Sequence, residues 1–84
     1  MNLERELEDS LVQQAGPLLT GDLLVSSLGY SSRDAFRKAL QRGTLPVVVF
    51  EIPKRRGKFA LTRDVAKWLA SQKQSALRKS EIKQ

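Results

Sequence analysis

Arg33, Arg37 and Gln41 fall at i, i+4 and i+8, so a helix would align them as one polar stripe with Lys38 alongside. An arginine fork can grip the O6/N7 edge of guanine at two points, and glutamine can do the same to adenine. Lys54, Arg55, Arg56 and Lys58 put four bases within five positions around Gly57. Such a cluster repels itself, a cost that an anionic partner removes. For the stripe, a solvated helix face is the plain alternative. For the cluster, it is a hairpin kept basic for solubility and against edge pairing. A chain without cysteine or histidine has no disulfide, no thiol nucleophile and neither of the usual zinc ligands. It shows no paired carboxylates, no Gly-rich phosphate loop and no nucleophile–base set. No catalysis, cofactor or metal is expected.

The elements that must position these groups can be read outward from them. Ser31-Ser32-Arg33-Asp34 resembles a capping box, with Asp34 in place of the usual glutamate. Ala35, Phe36, Ala39 and Leu40 make the apolar side of the helix that follows, and Gly43 closes it. Just upstream lies a shorter helix, with Thr20 as N-cap, Asp22 in its first turn, and Leu23, Leu24 and Leu28 inward; Gly29 stops it. Two short helices joined by a tight glycine-containing turn form a helix-turn-helix pattern. Next, Val47–Ile52 reads as a strand with Val48, Phe50 and Ile52 on one face and Glu51 on the other. Pro53–Gly57 is a hairpin loop, and Lys58–Leu61 is the return strand with Phe59 and Leu61 inward. Thr62 caps a last helix whose inner stripe is Val65, Trp68 and Leu69. The rings of Phe36, Phe50, Phe59 and Trp68 all fall on inner faces, which argues against stacking on single-stranded nucleic acid.

Leu3, Leu7, Leu11 and Ala15 recur every fourth residue among Glu and Gln, a narrow helical stripe ended by Gly16-Pro17. Docking on the body or pairing with a second copy would satisfy Leu3, Leu7 and Leu11, and pairing would make a homodimer or cooperative multimer. The expected organisation is an acidic N-terminal helix over 1–17, a body over 18–73 and a mobile basic tail over 74–84.

Charge separates along the 84 residues. Residues 1–22 hold five acids and one base, a net of −4, whereas residues 23–84 hold fourteen bases and four acids, a net of +10. A body so basic attracts polyanions, and double-stranded DNA is the densest common one. No apolar run approaches the roughly 20 residues of a membrane span, and the acidic start is unlike a signal peptide. A cytoplasmic, nucleoid-associated bacterial protein is expected.

Leu19-Thr20, Leu28-Gly29-Tyr30-Ser31, Arg42-Gly43-x-Leu45-Pro46 and Thr62-x-Asp64-Val65-x-x-Trp68-Leu69, with the basic hairpin between the last two, resemble a known group. They are similar to the small winged helix-turn-helix domains of the excisionase and AlpA-like proteins, related to the DNA-binding domain of MerR regulators. The likeness spans about residues 18–70 and implies an α+β winged helix-turn-helix with a two-stranded β-hairpin wing. It further implies that the helix over 32–42 enters the major groove and that Pro53–Gly57 is the wing. Ser32, Arg33, Arg37 and Gln41 would then contact bases, while Lys38, Lys54, Arg55, Arg56 and Lys58 would mostly hold phosphate. The role implied is transcription regulation, or DNA recombination as an excision factor beside a recombinase, in a plasmid or phage. The competing class is a protein-interaction module that uses the leucine stripe and binds polyanions without specificity.

Overall fold

Helix α1 spans Leu3–Ala15, strand β1 Leu18–Thr20, helix α2 Gly21–Ser27, helix α3 Arg33–Arg42, strand β2 Phe59–Leu61 and helix α4 Thr62–Lys83. The structure, a computed structural model, describes residues 2–83, with side chains through Arg78. At the start of α1, the Asn2 side chain accepts from the Arg5 N–H at 3.3 Å, and Glu4 and Glu6 sit at the positive end of the helix. Gly16 ends it with φ +76°, a conformation that costs glycine little.

The leucine stripe packs within the chain. Leu3, Leu7, Leu11 and Ala15 are half-buried, and α1 makes its main contacts with α4. Thr62, the first residue of α4, donates its N–H to the Pro17 carbonyl at 2.9 Å. With α4 starting where α1 ends, the two helices lie antiparallel along each other. On α4 the buried residues include Val65, Ala66 and Ala70, whose short side chains permit a close approach. The expected inner stripe is present, with Val65 in the core and Trp68 and Leu69 half-buried against it, and Ala66 and Ala70 widen it. Residues 74–83, expected as a tail, continue α4 as helix, with exposed side chains over 74–78.

The sheet differs from the expected hairpin. β2 pairs antiparallel with β1, with Leu18 opposite Leu61, Leu19 opposite Ala60 and Thr20 opposite Phe59. The stretch 47–52 adds one antiparallel bridge, in which Phe50 and Phe59 exchange N–H···O bonds of 2.8 Å each. Pro46 and Pro53 bound that stretch and lack the N–H that a longer ladder would need. Freed from a ladder, Val47 and Val49 turn toward the core and Val48 is 71% exposed, against the expected phase, while Phe50 and Ile52 are half-buried and Glu51 is exposed as expected. The return strand is also one residue out of the expected phase. Ala60 is fully buried, Phe59 half-buried and Leu61 exposed, because the core-facing residue of β1 is Leu19 and pairing sets Ala60 opposite it.

Between the two strands sits the helix pair. Thr20 occupies the N-cap position of α2, but its hydroxyl makes no capping bond. It donates to the Lys58 carbonyl at 2.7 Å instead. Helix α3 begins one residue later than the capping-box reading: Ser32 is the N-cap and accepts from the Ala35 N–H at 3.1 Å. That leaves Asp34 free to face basic neighbours. At the far end Gly43 takes φ +70°, and its own N–H and that of Thr44 satisfy the Leu40 and Ala39 carbonyls. Leu19, Leu24, Leu28, Phe36, Ala60 and Val65 form the core, and Tyr30 meets Phe36 edge-on at 5.9 Å between ring centres. These elements make an α+β winged helix-turn-helix: α2 and α3 are the helix pair, and the loop from Glu51 to Lys58, closed at the Phe50–Phe59 bridge, is the wing.

Candidate nucleic-acid interface

With Phe36 and Ala39 buried, the opposite side of α3 faces outward. Ser32, Arg33, Arg37, Lys38 and Gln41 are all exposed on it. The Ser32 oxygen accepts the capping bond, and its O–H remains able to donate to a ligand. Arg33 donates its Nε–H to Asp22 Oδ1 at 2.7 Å, a bond that crosses from α3 to the first turn of α2. Asp34 serves two cations at longer range, Lys38 at 3.4 Å and Arg37 at 3.6 Å.

The Arg33 hydrogen bond and charge hold the Asp22 carboxyl below its ordinary 3.8, and the same contact pushes the guanidinium further up. In the wing the Lys58 ammonium, through its hydrogen bond and charge, lowers the Glu51 carboxyl from its ordinary 4.5.

The wing is built on a turn in which the Arg55 N–H donates to the Ile52 carbonyl at 3.0 Å. Pro53 supplies the fixed φ that the first turn position prefers, and Lys54 takes φ +65° at the second. Glycine or asparagine usually fills that second position, so a lysine there holds a cation at the loop tip against backbone preference. Gly57 has φ +96°, and a Cβ there would stand 3.5 Å from the Thr20 hydroxyl oxygen. Thr20 and Glu51 thus fasten the wing root at Lys58, through its carbonyl and its ammonium respectively.

The fold brings part of the sequence-derived site together. Arg33, Arg37 and Lys58 rim an open cleft of about 290 Å³ floored by Leu24, Phe36 and Leu40, so the α3 stripe and the wing root share one surface. Lys54 and Arg55 line a separate open depression at the wing tip, beside Ile52 and Pro53. Among the described residues, Lys54, Arg55 and Arg56 take part in none of the salt bridges. Leu3, Leu7 and Leu11 belong elsewhere, on the α1–α4 pair. Two carboxylates matter more than their sequence roles suggested. Asp22 reads from sequence as a helix-dipole residue and Glu51 as the off-face residue of a strand, yet each holds a cation of the candidate surface. Asp22 lies 11 residues from Arg33, and only the packing of α2 on α3 joins them.

No family model, curated protein or solved structure compared with the chain matches it.

Proposed function

We propose that this protein is a non-enzymatic, sequence-specific binder of double-stranded DNA. Helix α3 enters the major groove, and the basic wing lies on the backbone or the adjacent minor groove. The observation that carries the reading is the shared surface of Arg33, Arg37 and Lys58, in which a helix-turn-helix stripe able to read base edges adjoins a basic wing. Ser32, Arg33, Arg37 and Gln41 are the base-reading set. Lys38 and the wing cations hold phosphate, with Arg55 or Arg56 reaching the minor groove. The motif resemblance to excisionase and AlpA-like proteins supports a regulator of a plasmid or phage, or a directionality factor beside a recombinase.

Binding to duplex DNA at two salt concentrations, on a selected site and on random sequence, tests this reading. A DNA reader weakens steeply with salt and prefers its site by about 10³-fold or more. Salt-insensitive, indifferent binding would return the protein to the interaction-module class.

A further inference from the structure

We infer that Asp22 is a specificity-determining residue: it holds Arg33 so that the outer edge of the guanidinium is presented to one guanine in the DNA site. This inference rests on the DNA-binding reading above. A guanidinium has five N–H donors in a rigid plane. Asp22 takes the Nε–H at 2.7 Å, which occupies the side edge of the guanidinium and leaves its outer edge, one N–H from each terminal nitrogen, unused by the carboxylate. Those two nitrogens are the pair that a bidentate contact with guanine O6 and N7 uses. Arg33 is also the first residue of α3, at the N-terminal end from which recognition helices reach bases.

The other pairs on this surface lack that property. Arg37 and Lys38 share the single carboxylate of Asp34 at 3.6 and 3.4 Å, so neither is fixed in one orientation. Lys58 is held by Glu51 at the wing root, but an ammonium is a point charge with no second edge to present. With side chains 72% and 81% exposed, the Arg33–Asp22 pair adds little to the stability of the fold. Its evident consequence is orientation, bought ahead of binding by restricting a long side chain.

The test uses the full-length chain. The preferred site is selected from a random duplex pool with the wild-type protein, and Kd is then measured for every single-base change in that site. Asp22→Ala is expected to shrink the preference for guanine at one position about tenfold, leave the other positions unchanged, and bind random duplex as tightly or more tightly. Arg33→Lys, which keeps the charge and loses the fork, should lose preference at the same position. A thermal melt confirms that each variant is folded, and Asp22→Ser, too short to reach the guanidinium, carries the test if Asp22→Ala is not. Unchanged preference at every position in the folded Asp22 variant would overturn the inference alone, whatever Arg33→Lys does. Loss spread evenly over all positions would also overturn it, making the pair a structural fastener. Wild-type protein without site preference would overturn the DNA-binding reading and this inference with it.

Discussion

Thr62 donates its hydroxyl to the Gly16 carbonyl at 2.7 Å, across 46 residues of sequence. Thr62 is fully buried and opens α4, so its hydroxyl joins the end of α1 to the start of α4 and does not cap its own helix. Thr62→Val keeps the shape and removes the donor. Its expected cost is about 1 kcal/mol in chemical denaturation, and Thr62→Ser should recover part of the loss.

Strand phase makes a second expectation. Leu19→Ala should cost about 2–5 kcal/mol, because Leu19 is fully buried opposite Ala60. Leu61→Ala, on the outward face, should stay within about 0.5 kcal/mol. The half-buried Phe59 should fall between them on truncation to alanine. If Leu61→Ala proved the costlier of the two leucine changes, the register would be wrong.

Because α1 packs along α4, removing residues 1–15 should lower the melting temperature. Light scattering should show the same oligomeric state for truncated and full-length chains. A truncated protein that melts unchanged but loses a subunit would mean that Leu3, Leu7 and Leu11 serve a second copy.

On DNA, the exposed Arg37 and Lys54 should behave differently. Arg37→Ala should cost about 1–3 kcal/mol on the preferred site and relax base preference. Lys54→Gly should weaken all duplexes alike and lower the salt slope by about 1. Its stability should change by no more than about 0.5 kcal/mol, since relief of the φ +65° backbone offsets the extra freedom of unfolded glycine. Binding measured over a salt series separates the two.

The Asp22 carboxyl should titrate below its ordinary 3.8 by carboxyl-carbon NMR, and Arg33→Ala should bring it back to that value. Depression in the folded state means that the contribution to stability is present above the ordinary value and is lost as pH falls through the lowered one. Glu51 should behave likewise, below its ordinary 4.5, with Lys58→Ala as its control.

Helices α1 and α3 were legible because periodicity and caps are local. Leu3 to Ala15 fixes one face, and Ser32 and Gly43 bracket the other helix. The exposure of Arg33, Arg37 and Gln41 followed from burying Phe36. The sheet was not legible in the same way. β1 is three residues long, with no alternation to announce it, and its partner lies beyond two helices and the wing. Adjacent valines at 47–49 suit either face, so only the core that forms around Leu19 decides which turn inward. Asp22 and Glu51 went unrecognised for a related reason: a carboxylate's partner is set by tertiary packing, and sequence separation gives no warning of it.

The bond from Thr20 to the Lys58 carbonyl closes a loop of 38 residues that contains α2, α3 and the wing. Closing a flexible chain of that length costs about 3 kcal/mol of entropy before core contacts offset it. The helix pair and the wing therefore have little reason to assemble until both strands meet. Folding should be a single all-or-none event limited by that encounter, and slower than in a helical bundle of the same size. Amide hydrogens at Leu19 and Ala60 should exchange last, in step with global unfolding.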